Sequence, residues 1–358
     1  MHLFLVHIIV IGAKRITKHT MENQNTLENC TPMPKKSVLE VNLKNHIIQH
    51  DLAMCIGVTT QTLGKQLKDL GIITIKHGRS ALIHCQDARK ILEARGFDFF
   101  QQIIAIQMLK GGSGKTSSGF NLAIRAHQYG FRVLVIDLDM QGNMTSTFGI
   151  EGSKQAALVS YIRGEKSFSD LIIPIEPGLD LLPSNYENST IDIEVFSKRI
   201  DYSTLLKKPI NEIKKNYDLI LMDCNPSLST LNVAAALASN IVLVPINPDT
   251  YSMEGLIKTT SEIARISDGR ADAPALKLFY TLFDKRESTS REFLVEYAST
   301  FREQLQESAI HRSADVKTGT STNKSVFEVP RAFVAQNDFD ALTREILGLT
   351  KKFGDHHD

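Results

Sequence analysis

Over the C-terminal two-thirds of the chain, short apolar runs alternate with stretches of helical periodicity. Ile103–Leu109, Val133–Asp137, Leu219–Asp223, Ile241–Pro245 and Leu276–Phe283 are compact runs rich in Ile, Leu and Val, and they predict strands. Between them, Lys115–Tyr129, Leu231–Ala238 and Tyr251–Ser267 repeat apolar residues three and four apart, the spacing of one helix face. Strands alternating with helices predict an α/β domain over 99–358, with a mostly parallel sheet covered by helices on both faces. In such a sheet a ligand sits at the carboxyl ends of the strands.

Upstream the pattern differs. Asp51–Leu67 has the spacing of a helix–turn–helix. Leu52 and Ala53 fall on a buried face and Gly57 permits a tight turn. Thr59 stands where it would cap a second helix, whose Leu63 and Leu67 face inward. That helix presents Thr60, Gln61, Gly64, Lys65 and Lys68 outward, donors suited to base edges and phosphates. Ile72–Ile75, Gly78-Arg79 and Ala81–Ile83 predict a small hairpin, the wing of a winged helix–turn–helix domain over 41–98. Thr59, Thr60, Gln61, Lys65, Lys68 and Arg79 are its expected DNA-binding residues. A packing unit with no DNA role is the alternative. Residues 21–42 are polar, with Pro32, Pro34, Lys35 and Lys36, and read as a linker. The apolar run Leu3–Ile11 precedes Lys14, Arg15 and Lys18, the reverse of a secretory signal. Residues 1–40 are therefore expected to be a disordered or mis-started arm, with Met21 as a second candidate start; a short membrane-surface anchor is the alternative.

Charge sharpens this division. The chain carries a net +1, yet residues 41–96 hold eight Lys/Arg against four Asp/Glu, so a +4 module adjoins a remainder of −3. Hydrophobic residues make up 42% and charged residues 23%, which excludes a disordered or collagen-like chain. No stretch reaches the roughly 18 apolar residues of a membrane span. Cys30, Cys55, Cys85 and Cys224 form no C-x-x-C pair, so a disulfide framework or zinc finger is not expected and a reducing compartment fits.

The chemistry gathers at the strand ends. The first run leads into Lys110-Gly-Gly-Ser-Gly-Lys-Thr-Ser117 and then a helix. A glycine turn there lets backbone N–H groups converge on phosphates, and the helix N-terminus adds its dipole. Lys115 would reach the β- and γ-phosphates and Thr116 would ligate Mg²⁺. Leu109 stands where the strict phosphate-loop pattern has its first glycine, so the motif is K-G-G-x-G-K-[ST] with an added lysine, Lys110. Val133–Asp137 ends in Asp137 and is followed by Asp139, and Leu219–Asp223 ends in Asp223, carboxylates suited to hydrated Mg²⁺ and the attacking water.

These motifs, with D-L-D-x-Q-G-N-x-T, D-C-x-P-S and Pro245–Leu256, resemble the ParA/MinD family of deviant Walker-A ATPases over roughly residues 103–350, and specifically the ParA partition ATPases. The upstream helix–turn–helix is similar to the larger plasmid class, which also represses its own operon. The resemblance implies ATP and Mg²⁺ as cofactors. Lys110 would then act across a homodimer on the partner's nucleotide, Asp139 would position the hydrolytic water, Asp137 would be its companion acid and Asp223 the magnesium residue. Gly111, Gly112, Ser113, Gly114, Lys115, Thr116 and Ser117 would bind the phosphates, and Pro245, Asn247 and Pro248 would lie near the adenine and the dimer interface. The implied partners are operator and nonspecific nucleoid DNA and a ParB-like centromere-binding protein, with no membrane, in a cytoplasmic, nucleoid-associated setting. Asn225 stands where the family usually has Pro, which implies a less rigid switch loop. Two other readings stay open. One is a MinD-like membrane-associated ATPase, resting on the apolar helical face Phe339, Leu342, Ile346, Leu349 and Phe353, for which packing onto the domain is the preferred reading. The other is a repressor that only senses ATP. Arg265, Arg270, Lys285, Arg286, Arg312 and Lys317 are candidates for nonspecific DNA contact.

Overall fold

Two sheets organise the computed structural model, which describes residues 42–354 apart from Leu228 and Lys285. The arm expected at 1–40 lies outside the described residues. A small antiparallel sheet has the order β1-β3-β2, from β1 (His46–Ile48), β2 (Ile75–His77) and β3 (Ser80–His84). The large sheet comprises β4 (Gln102–Ile106), β5 (Val133–Asp137), β6 (Ile173–Glu176), β7 (Leu179–Leu182), β8 (Leu219–Asp223), β9 (Ile241–Ile246), β10 (Ala275–Phe283) and β11 (Leu305–His311). Its order is β11-β10-β9-β4-β8-β5-β7-β6, parallel throughout except for the β6–β7 edge hairpin. Strands β4, β5, β8 and β9 are buried at every position, which is why they read as unbroken apolar runs and not as alternations.

The helices that bear on the site are α1 (Gln49–Cys55), α2 (Thr60–Asp69), α3 (Cys85–Ala94), α4 (Lys115–Gln128), α5 (Thr230–Ala238), α6 (Thr250–Ser267), α7 (Phe333–Ile346) and α8 (Leu349–Phe353). The long C-terminal apolar face is divided between α7 and α8 at Gly348, whose φ is +76°. Phe339, Leu342, Ile346 and Leu349 are at most 2% exposed, and Phe353 packs against the same core. That face is covered by the domain itself.

In the upstream module, Gly57 turns the chain at φ +66° between α1 and α2, and the Thr59 hydroxyl accepts from the Thr62 amide at 3.1 Å as the cap of α2. Leu52, Ala53, Leu63 and Leu67 are buried. The hairpin is shorter than expected, since β2 starts only at Ile75. The boundary expected at residue 98 falls in the connection between α3 and β4, but the module's core runs on into the layer of α4 and α7, where Ile47, Leu52 and Leu63 share one cluster with Phe120, Phe131 and Phe339.

Charge ties the two parts as well. The Arg125 guanidinium on α4, only 2% exposed, donates to Asp51 of α1 at 2.7 Å and to Asp340 of α7 at 2.6 Å. Asp218, at the entrance of β8, accepts from Arg89 of α3 at 2.6 Å and from Arg132 at 2.7 Å. Gly130 makes this approach possible, because at its φ of +91° an added Cβ would stand 2.7 Å from the Cys85 carbonyl oxygen.

Candidate functional site

Strand β4 lies between β8 and β9, so its carboxyl end opens at the centre of the sheet. The strand stops at Ile106, not at Leu109 as expected. The Gln107 amide still bonds Leu243 O at 3.1 Å, but the Met108 and Lys110 carbonyls then turn to the Lys115 ammonium, at 3.1 and 3.4 Å. Gly112 at φ +73° and Gly114 at φ +84° supply the left-handed turns of the loop. Gly114 is the N-cap of α4 and offers no side-chain cap, so the first N–H groups of the helix are left for a ligand. Burial lowers the pKa of the Lys115 ammonium, a shift opposed by Asp223.

Two of the predicted carboxylates meet through strand register. Asp137 of β5 pairs with Asp223 of β8, and Asp223 with Ile106 of β4. Thr116 Oγ1 donates to Asp223 Oδ2 at 2.7 Å, while Asp223 Oδ1 is buried with no hydrogen-bond partner among the described residues. Burial, reinforced by the charge of Asp137, pushes the Asp223 carboxyl up to about 8. Asp137 rises to about 6, because burial outweighs the bonds it accepts from Thr145 N (2.8 Å), Thr145 Oγ1 (2.7 Å) and the Asp139 amide (3.1 Å). A divalent cation fits this need: an orphaned buried oxygen, a neighbouring hydroxyl and two carboxylates that repel each other. Among the described residues no three His, Cys, Asp or Glu side chains gather as a complete metal cage. Mg²⁺ does not require one, since it keeps waters and takes the rest of its shell from phosphates.

A cavity of about 850 Å³ opens off the loop, a volume suited to a nucleotide. Gly111–Ser118, Asp139 and Pro226 form one wall, and Thr281, His311, Arg312, Ser313 and Lys317 form the other. Asp139 is half-buried there and accepts from the Gln141 amide at 3.0 Å. Pro245, Asn247 and Pro248 are not in these walls. They close β9, and the segment reaches the site by another route: Asp249 caps α6 and accepts the Lys110 ammonium at 2.5 Å, with Ser252 Oγ at 3.3 Å. Burial raises the Asp249 carboxyl, but the Lys110 bond and the Ser252 amide outweigh it and hold its pKa low.

The second wall was missed from sequence. Thr281, His311 and Ser313 stand at the ends of β10 and β11, where the strand-end rule would put them. Strand β11, with the sequence Leu-Gln-Glu-Ser-Ala-Ile-His, is mostly half-buried and has no continuous apolar run to reveal it. Arg312 and Lys317, noted for nonspecific DNA contact, line this cavity. Arg265 pairs with Glu262 at 2.7 Å, Arg286 with Asp284 at 2.7 Å and Arg270 with Asp272 at 3.6 Å, while Lys285 lies outside the described residues. In the module, Thr59, Thr60, Gln61, Lys65, Lys68 and Arg79 are all exposed, the first five along α2 and its cap and the last at the hairpin turn.

A family model described as an AAA domain matches residues 101–273. The chromosome partitioning protein ParA of Caulobacter vibrioides is 30% identical over 253 residues, which is 69% of this chain and 94% of that protein. A putative plasmid partition protein of Borrelia burgdorferi, bound to AMPPNP, shares the fold with a TM-score of 0.57 at 24% identity, over 69% of this chain and 98% of that one. Cobyrinic acid a,c-diamide synthase of Mycobacterium smegmatis, with bound ATP analogue and magnesium, shares it with a TM-score of 0.59 at 24% identity, over 68% and 94%. The module at 42–96 precedes the segment that the family model matches.

Proposed function

The chain belongs to the ParA family of partition ATPases, and from that premise we propose that it segregates plasmid or chromosomal DNA through ATP-dependent dimerisation, DNA binding and slow, partner-stimulated hydrolysis. One observation carries the reading. The phosphate loop, Asp139 and Thr116, which is bonded to the buried Asp223 behind it, line a single nucleotide-sized cavity.

The free N–H groups of the loop and of α4 bind the phosphates, and Lys115 leaves the Met108 and Lys110 carbonyls to join them. Thr116, Asp223 and, beside them, Asp137 would hold Mg²⁺, which when bound neutralises phosphate charge. Asp139 orients water for attack and accepts its proton. A carboxylate is a weak base for this step, so turnover is slow. Lys110 exchanges Asp249 for the nucleotide of a second subunit, so hydrolysis and dimerisation are linked. The exposed donors of α2 and the hairpin read operator DNA, and the basic balance of the module supports that role. A ParB-like protein on the cargo DNA is the expected stimulating partner, in the cytoplasm on the nucleoid.

No observation favours membrane attachment through the C-terminal face, since that face is buried. Asp139 and Asp223 both remain in place for hydrolysis, which speaks against a pure ATP sensor. Nonspecific DNA binding tests the reading, followed by anisotropy with ATP or ADP across a salt series. Binding is expected only with ATP and should weaken steeply with salt, as phosphate contacts release counterions. Equal affinity with ADP would remove the switch.

A further inference from the structure

The loop that follows β8, Asn225-Pro226-Ser227, has one face in the nucleotide cavity, where Pro226 forms part of the wall beside the phosphate loop. Pro226 has no N–H to anchor it, so the height of this wall depends on how its neighbours are held. Both are held by one side chain. Asn232 Nδ2 donates to Asn225 O at 2.9 Å and to Ser227 O at 2.6 Å, so the two carbonyls that flank Pro226 converge on one amide. Ser227 Oγ donates back to Asn225 Oδ1 at 2.8 Å and closes the turn on itself.

Asn232 is well placed for this. It is the third residue of α5, and its amide N–H is taken by the Ser229 hydroxyl at the helix cap, at 3.2 Å, which fixes the backbone from which the side chain reaches back. Its own carbonyl accepts from Gln107 Nε2 at 2.7 Å, and Gln107 directly follows β4, three residues ahead of Lys110. One residue thus joins the loop after β8 to the strand that feeds the phosphate loop. Asn232 is 7% exposed, and among the described residues its buried Oδ1 has no hydrogen-bond partner. It borders a void of about 20 Å³ shared with Gln107, Ser227 and Glu262, a space of one-water size. The amide is therefore oriented by its donor half, and the loop backs onto a small void where it has room to yield.

We propose that Asn232 is a positioning residue for ATP hydrolysis: by clamping the carbonyls on both sides of Pro226, it sets the wall beside the phosphate loop and keeps it in step with β4 through Gln107. Asn232 touches neither nucleotide nor water. It acts through Pro226 and Gln107, so the ground-state grip of the phosphate loop on ATP does not depend on it. The inference rests on this cavity being the ATP site.

The test uses the full-length chain and two variants, Asn232→Ala and the isosteric Asn232→Asp, which keeps the shape but offers no N–H. Steady-state ATPase gives kcat, a fluorescent ATP analogue gives Kd, and thermal unfolding reports the fold. Wild-type turnover with Mg²⁺ checks the ATP site itself, independently of either variant. Both variants should lower kcat by about tenfold or more, the effect of losing two buried hydrogen bonds, with Kd within about twofold of wild type. Asn232→Asp leaves two carbonyls facing a carboxylate and should also unfold at a lower temperature, so kcat and Kd are read well below that temperature, where the unchanged Kd reports an intact phosphate loop. Wild-type kcat in Asn232→Asp, or a loss confined to Kd, overturns the proposal.

Discussion

Lys110 and Asp249 form an ion pair at 2.5 Å on a half-open surface, with 28% and 37% of their side chains exposed. At that exposure water and salt screen the pair, so it is a weak latch that a phosphate can displace. Asp249→Asn removes the opposing charge while an amide oxygen can still accept from the Ser252 amide as the cap of α6. Sedimentation with ATP should show the Asp249→Asn dimer forming at lower protein concentration than wild type. An unchanged or weaker dimer would mean that the pair does not restrain Lys110. A second residue carries a pH signature. His127 on α4 is buried against Asn45, with Nε2 at 3.0 Å from Asn45 Oδ1, and burial pushes its pKa from 6.5 down to about 4. The fold therefore holds the neutral ring. Its contribution is fully present above pH 6.5 and is lost as pH falls from there towards 4, a span of about 3 kcal/mol. Unfolding in urea at pH 7.5 and at about pH 4.5 should cost wild type roughly 2–3 kcal/mol more than His127→Gln, which keeps a donor but does not titrate. Parallel losses would exclude His127 as the source.

At the scale of elements, the site was legible where strands are buried on both faces. Runs such as Val133–Asp137 and Leu219–Asp223 coincide with β5 and β8 residue for residue, and the register of those two strands brings Asp137 beside Asp223. Half-buried elements were not legible. Strand β11 and the edge hairpin β6–β7 have no unbroken apolar run, so the wall of the cavity formed by His311 and Arg312 went unseen. Within the module, the turn at Gly57 and the Thr59 cap of α2 fall where the local pattern puts them, but nothing local in sequence shows that Arg125 is shared between Asp51 and Asp340, 74 and 215 residues away. That sharing fastens α1 to the helix that begins at the phosphate loop. Arg125→Ala leaves two carboxylates facing a buried gap and should lower the unfolding free energy by about 3–5 kcal/mol. Gly130→Ala should cost about 1–3 kcal/mol, since the new Cβ meets the backbone of α3. Hydrogen exchange in both variants should rise first in the module. Exchange that rises only in the large sheet would mean that the module is not held by these contacts.

At the scale of the whole molecule, the proposed function needs a DNA-reading module fastened to an ATPase that a second copy completes. In that proposal Lys110 acts across the dimer while Asp139 acts within one subunit. Sizing of Lys110→Ala and Asp139→Ala in the presence of ATP and Mg²⁺ tests it most directly. Both variants should hydrolyse poorly and both should bind ATP, because the loop, Lys115 and Thr116 are untouched. Asp139→Ala should elute as a stable dimer and Lys110→Ala as a monomer. A Lys110→Ala chain that dimerises normally with ATP would contradict the account.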